Sequence, residues 1–257
     1  MNVFTCADDV GAMMTCIYEA YASRLGHRNI RLELEPVSQL ELFCQYRHID
    51  YDEKKASSVI HSIRKKISLE AWQLIYQTAL SWRQDRLDCI YRFLLLGFHY
   101  GASVTEMLQH PAVSRLFALS RKVCNEAHLF REFVRFCAAG SNVLVSHIEP
   151  KCNILTLIAP HFSDRMPSEN WILIDDTRKI AVVQPANQRF YLTNLSDSEL
   201  ERLMRLEKDD GISLLWKEFF HSIAIEQRRN CQCQRTLMPL WYRSHMTEFS
   251  HTTDSAP

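Results

Sequence analysis

The sequence predicts an α+β fold, mostly helical, with a small antiparallel sheet built from two hairpins. Three observations predict it. Apolar residues recur at steps of three and four through much of the stretch from Asp8 to Ala139 and again after Ser196, which is the helical period. Runs rich in β-branched and aromatic residues, separated by turn residues, fall at Val143–Ile158 and Trp171–Val183. Only six glycines occur, which argues against a Gly-rich nucleotide fold.

Taken in order, Val3–Cys6 reads as a short strand. Asp8 or Asp9 then caps a helix to about Leu25, with Val10, Met13, Met14, Ile17 and Tyr21 at helical spacing, and Gly26 ends it. Asn29–Glu35 alternates Ile30, Leu32 and Leu34 with Arg31, Glu33 and Glu35, the pattern of a half-buried strand that Pro36 stops. Asp52–Ile67, Ser68–Trp82 and Asp85–Tyr100 read as helices, and Ser103–His110 as a short one. Pro111 opens a long helix to Ala139, with Gly140 as its stop. Val143–Glu149 and Ile154–Ile158 flank Pro150–Asn153 as a first hairpin. Trp171–Asp175 and Lys179–Val183 flank a second turn. His161–Met166, between the hairpins, reads as one helical turn. Ser196–Lys208 and Gly211–Gln227 return to helix. Residues 1–247 read as one domain and 248–257 as a disordered tail.

Composition excludes several classes. Hydrophobic residues make up 47% and charged residues 23%, ordinary for a globular protein. No run approaches the 18 to 20 apolar residues of a membrane span, so no membrane partner is expected. The N-terminus carries acids and no basic region, unlike a secretory signal, so a cytoplasmic location with reduced thiols is expected for the nine scattered cysteines. Cys231 and Cys233 form a lone CxC, and the chain has no CxxxCxxC loop for an iron–sulfur cluster. Phosphate-loop, zincin, hydrolase-elbow and dinucleotide motifs are absent. Formal net charge is zero, so any contact with nucleic acid must be local. Two basic stretches stand out. Lys54–Lys66 holds five basic residues with His61, and Gln227–Arg243 holds Arg228, Arg229, Arg235 and Arg243 beside Trp241 and Tyr242, with no acid. Solvated faces are the plain reading of such runs; aromatics among the arginines favour nucleic acid.

The stretch Arg121–Arg178 threads charge through apolar runs, and a buried charge is costly unless paired. On the helix from Pro111, Val123, Ala127, Phe130 and Val134 share an arc, and Glu126 falls within it, between Phe130 and Phe133. A carboxylate there needs a partner, with His161, Arg165 and Arg178 as candidates. The outcome is either a salt-bridge network or a site acid. His128, Arg131 and Arg135 share a stripe that reads as an exposed face or as a phosphate-facing strip. On the first hairpin strand His147 and Glu149 share a side near its end, and Asp175 ends a strand of the other hairpin. The candidate catalytic set is therefore Glu126, His128, His161 and Asp175. Nucleic-acid contacts are expected from Arg135, Arg165, Arg178, Arg228, Arg229, Arg235 and Trp241. A divalent metal, if the chain is a hydrolase, is expected on Glu126, Glu149 and His161. The ExK spacing of Glu149–Lys151 lacks the upstream acid of nucleases and carries no weight.

Several segments also carry a resemblance: IYEAYASRLGHRNIRLE, YRFLLLGFHYG, RKVCNEAHLFREFVRF, IEPKCNILTLIAPHFSDRMPSENWILIDDTR and LLWKEFFHSIAIEQRRNCQCQRTLMPLWYR. The chain resembles a bacterial domain-of-unknown-function family labelled "probable DNA metabolism protein". The matching residues are Glu126, His128, Phe130, Phe133, Arg135, Glu149, Pro150, His161, Phe162, Arg165, Trp171, Asp175 and Arg178. Arg131 and Glu132 depart from it, standing where that family has a small residue. The family is associated with a radical-SAM protein labelled a putative DNA modification or repair enzyme, and related domains occur joined to uracil-DNA glycosylase-like domains. The resemblance implies a DNA-metabolism or repair accessory protein that acts with a radical-SAM or glycosylase-type enzyme and contacts nucleic acid. Two alternatives stand beside it: a metal-dependent hydrolase of nucleic acid or nucleotides, and a structural interaction module with a buried ion-pair network.

Overall fold

A computed structural model of the protein describes residues 1–37, 39–140, 142–206, 211–228 and 230–249. The span read as one domain groups into two compact units, Met1–Asn125 with Lys151–Asn153, and Glu126–Pro150 with the chain from Ile154 onward. The α+β class holds, with helices around two small sheets.

In the first unit, strand β1 (Asn2–Cys6) leads into helix α1 (Val10–Ala22). Asp9 is the cap: its carboxylate accepts from the backbone N–H of Gly11 at 2.8 Å and of Ala12 at 3.1 Å. Strand β2 (Ile30–Leu34) follows the predicted alternation, burying Ile30, Leu32 and Leu34. It pairs parallel to β1, and an unforeseen strand β3 (Gln45–His48) pairs parallel to β1 on the other side. β3 is polar and mostly exposed, so hydropathy gives it no signal; its register with the buried β1 makes it a strand. Helices α2 (Glu53–Lys66), α3 (Leu69–Ala79) and α4 (Arg86–Tyr100) follow, the first two capped by Asp52 and Ser68. The short helix expected at Ser103–His110 is instead a 3-10 turn at Gly101–Glu106. Phe4, Met14, Ile17, Ile63, Ile75 and Phe93 are fully buried in one core. Each such side chain stabilises the fold by about 1.5 to 3 kcal/mol.

Helix α5 (Pro111–Phe133) stops six residues short of the expected Ala139. Cys137–Ala139 forms strand β4 instead and pairs antiparallel with Val143–Val145 of strand β5 (Val143–Ile148). Gly140, at φ 69°, supplies the left-handed residue of that connection.

The second unit carries a five-stranded sheet in the order β4-β5-β6-β7-β8, with β6 (Trp171–Asp175), β7 (Ile180–Gln184) and β8 (Tyr191–Asn194). The second predicted hairpin is present as β6 and β7. The first is not. Ile154–Ile158 starts helix α6 (Leu155–Arg165), and β5 pairs parallel with β6. A parallel pair needs a crossover, which α6 provides. Leu155, Ile158, Ala159 and Phe162 are its buried stripe, at helical spacing; a five-residue apolar run viewed alone does not separate helix from strand. The turn expected at His161–Met166 belongs to this longer helix. β8, unforeseen, pairs with β7. Helices α7 (Asp197–Leu206), α8 (Gly211–Ser222) and α9 (Cys231–Leu237) follow. The predicted tail is structured at its start: Thr247–Phe249 is a 3-10 turn with Glu248 buried, and residues 250–257 lie outside the described residues. Among the described residues, no helix is long and apolar enough to cross a membrane.

Candidate nucleic-acid interface

The end of α5 brings arginines to one open groove of about 430 Å³. Arg131 sits in the last turn of α5 and donates to Leu157 O at 2.6 Å. Arg135 lies two residues beyond the helix, so it does not extend the His128–Arg131 stripe as a helical position. Its guanidinium turns back and donates to Glu132 O at 2.9 Å and Val134 O at 3.2 Å, satisfying carbonyls that a helix C-terminus leaves open. Arg165, at the end of α6, completes the set; it is exposed and makes no ion pair or side-chain hydrogen bond among the described residues. Half-buried Phe136 and exposed Trp216 add aromatic surface over buried Phe162, and Glu132 adds one opposing charge.

The groove floor is an aromatic cluster. Phe136 packs edge-on against Phe162 and Trp171, with ring centroids 5.2 and 5.9 Å apart. Trp171 is completely buried, so the cluster fixes Phe136 and Phe162 in place. Glu248 holds the other rim. It is 6% exposed, ion-pairs with Arg135 Nη2 at 2.9 Å and accepts from Trp216 Nε1 at 3.3 Å. One buried carboxylate thereby orients both an arginine and an indole at the groove.

A second polar group closes the β6–β7 turn. Asp175 is fully buried, and Arg178 donates to it from the backbone N at 3.1 Å and from Nη1 at 2.8 Å. Arg178 Nη1 also donates to Pro150 O at 3.1 Å. Burial raises the Asp175 pKa above the ordinary carboxylate value, and the guanidinium beside it pulls the other way.

The residues singled out in the sequence do not share one pocket. Glu126 is half-buried on α5, at the margin of the apolar arc beside half-buried Phe133, rather than sunk in the core. His128 is exposed and faces Glu132 at 3.2 Å, the plain i, i+4 pair. His161 is half-buried on α6, its ring 5.1 Å from that of Phe162. The metal set Glu126, Glu149 and His161 is not assembled. Among the described residues, the carboxylates and imidazoles close enough to share an ion are Glu149, Asp176 and His245. The physical reason is α6: residue 161 rides a crossover helix instead of a loop between hairpins. Arg228 and Arg235 are exposed, Trp241 is half exposed, and Arg229 lies outside the described residues. Sequence reasoning passed over Asp176, Trp216, His245 and Glu248. Asp176 looked like a turn residue, and a lone Trp or His in a long basic and aromatic tail carries no spacing signal.

Among curated proteins and among solved structures, nothing matches this chain. A family model does match, over residues 84–248, a span that includes every residue of the groove. That model is described as a domain of unknown function, DUF4130, and with more than half of its length matched the chain belongs to this family.

Proposed function

We propose that the protein is a DNA-metabolism or repair accessory protein, and that its second unit holds single-stranded nucleic acid in the groove of Arg131, Arg135 and Arg165. The observation that carries this reading is the combination of those arginines with Trp216 and Phe136 along one open surface. Nonspecific single-strand binding needs both parts: cations that follow the phosphates and aromatic faces on which bases stack. Arg165 is exposed and makes no ion pair among the described residues, so its guanidinium can reach a phosphate.

The family resemblance supplies the partner: a radical-SAM DNA modification or repair protein, or a glycosylase-type enzyme. Exposed apolar side chains give such a protein a surface. Leu215 and Phe219 lie one turn apart on α8, and Ile223 follows just past its end; they are 66%, 52% and 57% exposed. Exposed apolar groups clustered this way mark interaction surfaces. Arg228, Arg235 and Trp241 extend the basic surface in this reading. Asp175, buried and paired with half-buried Arg178, serves the fold of the turn.

Fluorescence anisotropy with labelled single-stranded and duplex oligonucleotides tests the proposal. Arg165→Ala is expected to weaken single-strand binding about tenfold, the worth of one charge-assisted contact. Trp216→Ala is expected to weaken single-strand binding more than duplex binding. Absence of binding to either DNA form at low salt, or an Arg165→Ala variant that binds like the parent, defeats the reading.

A further inference from the structure

Three metal-ligating side chains of the second unit meet at a place apart from the arginines. Carboxylate oxygens of Glu149 and Asp176 and a ring nitrogen of His245 lie within 4.8 Å of one another. They come from separate elements: the residue after β5, the residue after β6, and the segment following the 3-10 turn Leu240–Tyr242. Distant parts of the chain converge here, which a row of acids on one helix face does not require.

Two further observations concern the surroundings of His245 and Glu149. His245 Nε2 is shielded from solvent and makes no hydrogen bond, although Glu149 Oε2 is 3.4 Å away. A buried ring nitrogen left without a partner is costly, and native sites supply one. Beside it is a void of about 10 Å³, bordered by His147, Glu149 and His245 and by an apolar wall that includes Phe130, Ile148 and Tyr242. That is about the room one water-sized particle occupies. His147 also holds Asp176 in place, its Nδ1 lying 2.8 Å from Asp176 Oδ1. Carboxylates that ligate metals are themselves held by hydrogen bonds from neighbouring side chains.

We propose that Glu149, Asp176 and His245 bind one divalent transition-metal ion, zinc or manganese, with His147 as the residue that positions Asp176. Ligand atoms around one four-coordinate ion stand about 2.0 to 2.2 Å from it, hence about 3.3 to 3.6 Å apart. The observed set, spanning up to 4.8 Å, closes to that separation by a side-chain torsional adjustment of roughly an ångström, which the exposed side chain of Glu149 permits. One imidazole with two carboxylates and no thiolate selects zinc or manganese over calcium and magnesium, which prefer all-oxygen shells. Three protein ligands also leave a coordination position for water.

The test uses the full chain, stripped of metal, with Cys231→Ser and Cys233→Ser so that the two exposed thiols do not report. Zinc is titrated in competition with a chromophoric chelator, and cobalt is followed by its visible absorption. One zinc per chain and a cobalt spectrum of a four- or five-coordinate site are expected. His245→Ala and Glu149→Gln should each weaken zinc binding at least 100-fold, and His147→Ala by 10- to 100-fold. Glu149 is exposed, so its variant folds even if a His245 variant does not. Zinc bound equally by the parent and by Glu149→Gln, or no zinc held by the parent, overturns the proposal. DNA binding by Arg165 is measured separately, so failure of one reading leaves the other standing.

Discussion

At the scale of single residues, the clearest chemistry is where burial and charge meet. Asp175 and Arg178 form a pair with one member wholly buried, and removing one partner strands the other. Asp175→Ala is expected to cost about 3 kcal/mol in urea unfolding, with Asp175→Asn costing less because it keeps the shape. Loss of DNA binding in Asp175→Asn at unchanged stability would turn this residue from a fold element into a site residue. In the first unit, Thr5 and then His48 hydrogen-bond the Glu35 carboxylate and lower its pKa, while bonds to Glu35 and then Asp50 raise that of His48. The signs fix a window. The Glu35 contribution is present above the ordinary value of about 4.3 and is lost as pH falls through its lowered pKa; the His48 contribution is present below about 6.5 and is lost as pH rises through its raised pKa. His48→Gln should therefore lower Tm most between about pH 4.3 and 6.5, and the gap should close as pH climbs past the raised His48 value. A Tm difference independent of pH would show the pair to be inert. Glu35 read only as a polar position of its strand, and His48 did not stand out because it sits in a strand with no hydropathy signal.

At the scale of elements, caps and periodicity made most helices legible, and the exceptions share a cause. Asp9, Asp52 and Ser68 accept from backbone N–H groups where the sequence placed helix starts. The helices that followed were the ones predicted, to within a few residues. The largest misreadings fell on segments whose state depends on a distant strand. Cys137–Ala139 leaves the helix because β5 offers it a ladder. Ile154–Ile158 becomes helix because β5 pairs in parallel with β6 and the chain must cross over. Phe162 gives a direct test. In the helix it is 4% exposed and packs on Phe136 and Trp171. Phe162→Ala is thus expected to destabilise the protein by about 3 to 5 kcal/mol. A cost under about 1 kcal/mol would fit a surface turn between hairpins instead.

At the scale of the whole molecule, net charge is zero while one unit gathers arginines along a groove. Binding through three arginines releases few counterions. The slope of log affinity against log salt should be about 2 on single strands. A slope near 6 would mean that the phosphates are held well beyond the groove. By itself the sequence determined the α+β class, the caps, the apolar stripes of the long helices and the absence of a Gly-rich phosphate loop, since each depends on residues within one or two turns of chain. It also marked Arg135, Arg165 and Glu149 as residues of interest. Tertiary structure alone decided what these residues meet: Glu248 and Trp216 beside Arg135, Asp176 and His245 beside Glu149, and a half-buried flank for Glu126. The physical reason is range. Hydrogen bonds of a helix close within four residues, whereas strand direction and the partner of a charge are set by groups as many as 113 positions away, as for Arg135 and Glu248, and no local period records them.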